Sequence, residues 1–321
     1  MLRKRTAVMI LLAVAMLFAL FQAACYEVFT KRCLCDYSPE MQARSVEISK
    51  YLPFDENALT AKCDTDFHLE GELPVLDSAA ALYPITALIV NAVYPQGCYD
   101  YDLETKQFSE NSKLQMNNTP LAYKKIVDGE TDIALLAEPS AEQKAYAEEQ
   151  GITLEFLPIG KEAFVFLVNA KNPIDSLTTE QVRGIYSGQY SNWSQLGGAR
   201  NQIAALQRNA GSGSQSAFLR FMGDTPIQTD YLTFLGSSIG FSFRYYVDGM
   251  VEDSGVKMLA LDGIYPNKEN VRNETYPIVS NFYAVTRADN DNPNVQKLLE
   301  WMCSEDCQNL IEETGYVRQY E

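Results

Sequence analysis

Residues 208 to 218 read Arg208-Asn-Ala-Gly211-Ser212-Gly213-Ser214-Gln-Ser-Ala-Phe218. A guanidinium fork, two glycines and two hydroxyls stand directly before a segment that carries Ala217, Phe218, Phe221 and Met222, the spacing of one helix face. The glycines let backbone N–H groups turn toward one point, and a helix start adds unpaired donors and a positive dipole end. Arg208 adds a bidentate clamp for oxygen. Together these groups describe an oxyanion cradle. A Gly-Ser run alone is usually a flexible linker; here it leads straight into a helical pattern. The nucleotide-binding P-loop is excluded, because that loop needs Lys where this chain has Ser214.

Outward from this loop, strand and helix patterns alternate. Residues 73–76 read as a short strand and 81–93 as an apolar helix, with Pro84 confined to its first turn. Residues 119–127 read as a helix with Thr119 as N-cap and Pro120 at the first helical position. A buried strand at 132–136, a helix at 140–150 and a strand at 152–157 follow, then a strongly apolar strand at 164–168 closed by Asn172-Pro173. Beyond it come a helix at 179–186, a strand at 204–207, the helix at 214–222, a strand at 282–286 and a terminal helix at 294–307. Such alternation predicts an α/β fold with mostly parallel sheets flanked by helices. In sheets of that kind ligands bind beyond the carboxyl ends of strands, where helix N-termini converge.

Arg3, Lys4 and Arg5 precede an apolar run from Ala7 to Phe21 and then Gln22-Ala23-Ala24-Cys25. That order is a secretory signal over 1–24. Cys25 after two alanines is similar to a lipoprotein box, in which the Cys is acylated; a retained membrane anchor is the other reading of the same run. Residues 25–70 are polar and acidic and read as a tether with one short helix near 39–50. Without Cys25, six cysteines remain (Cys33, Cys35, Cys63, Cys98, Cys303 and Cys307), an even set suited to disulfides outside the cell. Cys303 and Cys307, four apart on the expected terminal helix, are expected to lie close together. Metal binding is not expected: Cys33-Leu-Cys35 is not a zinc spacing, and His68 is the only histidine. The formal charge of −16 excludes nucleic acid and anionic lipid as partners for the surface at large.

Several of these segments, in order, resemble the phosphate-binding proteins of bacterial ABC importers, which have the type II periplasmic binding protein fold. The segment from Leu177 to Gly188, then Asn192-Trp193 through Gly198, is similar to that family's second-lobe helix and turn. Arg208-x-x-Gly211-Ser212-Gly213-Ser214 is similar to its anion loop, and Ile239–Phe243 and Tyr276–Tyr283 to its later strands. The resemblance implies two lobes joined by two crossover strands acting as a hinge: 71–163 with 284–321, and 164–283. It implies an oxyanion site at Ser78, Ala79, Ala80, Thr119, Arg208, Ser212, Gly213 and Ser214, with Ser78 donating its hydroxyl and Ala79 and Ala80 their N–H groups. The family's proton-accepting Asp is replaced by Ala137, and Glu138 is a candidate for that role.

The implied function is capture of inorganic phosphate or a related tetrahedral oxyanion for a membrane permease. The protein would be a monomer at the outer face of the membrane, with no cofactor. A sensor or adhesion module on the same fold is the alternative. A serine hydrolase using Ser212 or Ser214 is a poorer one, since no positioned base is evident beyond Lys161 and the loop is not Gly-x-Ser-x-Gly.

Overall fold

A computed structural model describes residues 16–23, 47–59, 65–228, 237–250 and 255–320. The basic leader residues, Cys25, Cys33, Cys35 and Cys63, and most of the helix expected at 39–50, lie outside the described residues. Residues 16–23 are helical, and no helix among the described residues is long and apolar enough to cross a membrane.

The first half of the chain supplies strand β1 (Leu76–Ser78), helix α1 (Tyr83–Val93), helix α2 (Thr119–Asp128), strand β2 (Ile133–Ala137) and helix α3 (Ala141–Glu149). A 16-residue strand, β3 (Leu154–Asn169), then leads into helix α4 (Thr179–Tyr186), strand β4 (Ile203–Ala205), helix α5 (Gly213–Met222), strand β5 (Ser237–Phe243) and strand β6 (Val256–Met258). Strand β7 (Val279–Arg287) returns, followed by helices α6 (Pro293–Met302) and α7 (Glu305–Thr314) and strand β8 (Val317–Arg318).

The central sheet runs β1-β2-β7-β3-β5-β4, with β6 and β8 also paired to β3. The outer pairs β1–β2 and β4–β5 are parallel, as the alternation of strand and helix requires. The long strands β3 and β7 run against their neighbours and against each other, so the sheet as a whole is mixed. The two strands expected at 152–157 and 164–168 are thus one continuous element. Its Phe164–Val168 segment is buried throughout, because it is paired on both edges and covered on both faces.

The apolar core divides where β3 and β7 cross between halves. One cluster gathers α1, α6 and α7 with Ile133, Ile159 and Phe282; a second lies on the other face of β1 and β2 with α2. A third holds residues 163 to 279 together with Val317. Gly160 stands where β3 passes Phe282: a Cβ there would lie 2.1 Å from the ring, so no larger residue fits. Every residue of α1 except Asn91 is buried, which is why its pattern is apolar all round.

The segment read as a tether is docked over its described part. Ile48, Tyr51 and Leu69 join the first core cluster. Thr65 donates from Oγ1 to Asp306 (3.0 Å) and accepts from Trp301 Nε1 (3.3 Å), and Tyr51 donates to the carbonyl of Gly249 (3.1 Å). Within 39–50 the described portion is a short 3-10 turn, Ile48–Tyr51.

The terminal helix expected at 294–307 is two helices. Ser304 caps α7 by accepting from Cys307 N, and Glu305 and Asp306 occupy its first turn, a start signal inside the expected single helix. Cys303 closes α6 and Cys307 lies in the first turn of α7. Cys98 and Cys303 carry free thiols, so the expected pairing of these cysteines into disulfides is not formed at those two positions.

Candidate functional site

The loop from Arg208 to Ser214 is built as its composition requires. Gly211 adopts φ +75°, a left-handed conformation that favours glycine. Ser212 then caps α5, its Oγ accepting from Gln215 N at 3.2 Å. The N–H groups of Gly213 and Ser214 head the helix and have no acceptor within it. Gln215, buried in the first turn, reaches back: its Oε1 accepts from Arg208 N (2.9 Å) and its Nε2 donates to Gln207 (3.0 Å). This clamp fixes the Arg208 backbone against the helix, a positioning role that the sequence reading missed.

A second helix start comes from the other half of the chain. Asn118, not Thr119, is the N-cap of α2, accepting from Leu121 N at 2.9 Å. Thr119 is the first helical residue and Pro120 the second. Both Asn and Thr cap well and Pro is tolerated at either position, so the sequence alone places the boundary one residue late. The consequence is that the Thr119 hydroxyl is not spent on its own helix.

These elements meet at a cavity of about 170 Å³. Ala79, Ala80, Thr119, Arg208, Ser212, Gly213 and Ser214 all line it, joined by Ala137, Glu162, Ser242, Tyr246, Ser280, Asn281, Phe282 and Tyr316. Gly213 faces Ala137 and Thr119 closely, so the two halves touch across the cavity. Gln143 Nε2 donates to the carbonyl of Gly211 at 3.3 Å and bridges the same divide.

Three expected site residues are placed differently. Ser78 is fully buried but lies one residue behind the lining; its Oγ has no hydrogen-bond partner, and its N–H donates to Asp77 Oδ1 at 2.7 Å. Ala79 lines the cavity, yet its N–H donates to Leu135 O at 3.1 Å as an extension of the β1–β2 pairing, so it offers no donor there. Glu138 lies outside the cavity, where it pairs with Lys144 (3.2 Å) and with Arg220 (3.4 Å) at a half-exposed surface. Two cations outside the cradle engage its carboxylate there.

The electrostatics of the cavity are set by Arg208 and by a buried pair beneath it. No carboxylate among the described residues pairs with Arg208, and burial lowers its pKa from the ordinary guanidinium value. A positive group with reduced hydration and no counter-charge favours an anion. Glu162, from the middle of β3, lines the cavity and is paired with Arg244 at 3.0 Å, both side chains almost wholly buried. Glu162 also accepts from Ala163 N (2.9 Å) and Tyr245 N (3.1 Å). Burial raises its pKa, and Arg244 and these N–H donors oppose that rise. Arg244 donates onward to the carbonyl of Gly315 at 2.5 Å. The signal for Glu162 was a lone acid in an apolar strand, with an Arg directly after Phe243 to balance it.

Among the described residues, neither His68 nor Lys161 is placed beside the loop serines. His68 is exposed and does not line the cavity, and Lys161 is engaged with Glu274 at 2.5 Å.

A family model described as a PBP superfamily domain matches residues 113–306. Among curated relatives, the phosphate-binding protein PstS of Borreliella burgdorferi is 24% identical over 176 residues, 49% of this chain and 63% of the relative. The PstS protein of Bacillus subtilis is 24% identical over 183 residues, 53% of this chain and 60% of the relative. The chain thus spans less than two thirds of the length of these two relatives. Among solved structures, a Clostridium perfringens substrate-binding protein assigned to a phosphate ABC transporter, with bound phosphate, superposes with a TM-score of 0.58 at 19% identity. That match covers 76% of this chain and 99% of the other. An ABC-type phosphate transport receptor from Vibrio cholerae gives a TM-score of 0.53 at 21% identity, with the same coverage. At these identities the structural likeness establishes the fold.

Proposed function

The chain belongs to the PBP superfamily, and we propose that it is an extracytoplasmic solute-binding protein capturing inorganic phosphate or a related tetrahedral oxyanion for an ABC importer. The observation that carries this reading is the convergence of Arg208 and the N-termini of α2 and α5 on one cavity. Helix starts present N–H donors and positive dipole ends, and the guanidinium adds fixed, charge-assisted hydrogen bonds. The relatives named for phosphate binding and the phosphate-bound neighbour support the same ligand class.

In this reading 71–163 with 284–321 form one lobe and 164–283 the other, with β3 and β7 as the hinge. The separation of the apolar clusters where β3 and β7 cross supports that division. Closure of the two lobes excludes water and strengthens every charged contact inside. The chain would act as a monomer, exported by its 1–24 leader and held by a lipid on Cys25, and would hand its ligand to a membrane permease without itself catalysing a reaction.

The test is calorimetric titration of the full chain with inorganic phosphate, after any carried ligand has been removed by unfolding and refolding. Saturable binding with a stoichiometry of one supports the reading. A folded chain that binds no tetrahedral oxyanion moves it to a protein-binding module.

A further inference from the structure

We propose that the cradle presents no unpaired charged acceptor to its ligand and so takes fully ionised oxyanions such as sulfate as readily as phosphate; this rests on the oxyanion reading above. An anion that carries a proton is selected by a charged acceptor that receives the proton and repels an anion lacking one. Among the described residues that line the cavity, no carboxylate is left without a cation partner.

Among the described residues that line the cavity, Glu162 is the one carboxylate. Its oxygens are already engaged: Oε1 by Arg244 Nε and Ala163 N, Oε2 by Tyr245 N. Its charge is balanced by Arg244, so it does not repel an anion unopposed. Asp77 stands behind the wall, with Oδ1 on the N–H of Ser78 and Oδ2 on Asn117 Nδ2, both at 2.7 Å. Glu138 is outside, held by Lys144 and Arg220. At the end of β2, where a side chain would face the start of α5, the chain carries the methyl group of Ala137.

Opposite this gap stand donors: Arg208 and the leading N–H groups of α5. The hydroxyls of Thr119, Ser212 and Ser214 rotate and accept as well as donate, so phosphate with a proton still binds. What is missing is the charge that would reject sulfate. Rejection of a near-isosteric ligand needs a buried group left unpaired or repelled by the wrong one.

The experiment is competition calorimetry on the full chain at about pH 8, with phosphate and then sulfate as the titrant. The expected result is a sulfate Kd within about tenfold of the phosphate Kd. Phosphate binding with sulfate weaker by more than that overturns the inference and leaves the oxyanion reading standing. Binding of neither anion overturns both.

Discussion

Gly213, the first residue of α5, faces Ala137, the last residue of β2, across the cavity: a Cβ on Gly213 would stand 3.3 Å from the Cβ of Ala137. Thr119 Oγ1 would lie 3.6 Å from the same point. A strand end, a helix start from the same half and a helix start from the other half therefore share one small space. Whatever side chain occupies position 137 is presented to this cavity.

Ala137→Asp follows directly from that placement. A carboxylate there would repel a fully ionised anion and accept a proton from hydrogen phosphate. The expected outcome in calorimetry is a sulfate affinity reduced about tenfold or more relative to phosphate. An unchanged ratio would mean that position 137 does not address the bound anion.

Glu138→Ala distinguishes the residue that reaches the surface from one that reaches the ligand. Its pairs with Lys144 and Arg220 are half-exposed, and such pairs contribute about 0–1 kcal/mol. Phosphate affinity is expected to stay within about threefold of the unaltered chain, with little change in Tm. A large loss of affinity would restore Glu138 to the site.

Glu162→Ala should act on stability first. Removing it leaves Arg244 as an uncompensated charge in the interior, a change that costs about 3–5 kcal/mol. Urea denaturation should show a lower midpoint with an unchanged slope. A loss below about 1 kcal/mol would mean that water or a neighbour replaces the carboxylate.

Leu69→Ala tests whether the N-terminal segment is part of the core. Leu69 is 4% exposed and packs in the cluster around α1. A buried Leu truncated to Ala costs about 2–5 kcal/mol. Truncation at residue 71, which also removes Ile48 and Tyr51, should lower the thermal midpoint further. A truncated chain as stable as the full one would make the segment a spacer after all.

The candidate site's loop was legible in the sequence where local chemistry makes it. Arg208, Gly211, Ser212, Gly213 and Ser214 are contiguous, and a positive-φ glycine before a cap and a helix leaves few alternatives. Thr119 was legible as a helix start but not as the exact boundary, because Asn118 and Thr119 are both capping residues. Glu162 and Gln215 were not singled out: each acts through a partner distant in sequence or across the loop before its helix, and periodicity carries neither. The same limit explains the sheet. Alternation foretold the parallel outer pairs, whereas the single long strand β3 depends on pairing with β7, more than a hundred residues away. The docking of Ile48, Tyr51 and Leu69 is equally nonlocal, since a polar, acidic segment conceals three isolated apolar anchors.

The most direct test of the central claim is phosphate titration of Arg208→Ala beside the unaltered chain, with thermal melting of both. The guanidinium is unpaired among the described residues, so its removal should leave the fold intact and the Tm nearly unchanged. Loss of its charge-assisted hydrogen bonds should weaken binding by about tenfold or more. Equal affinity in the two proteins would contradict the assignment of this cavity as the oxyanion site.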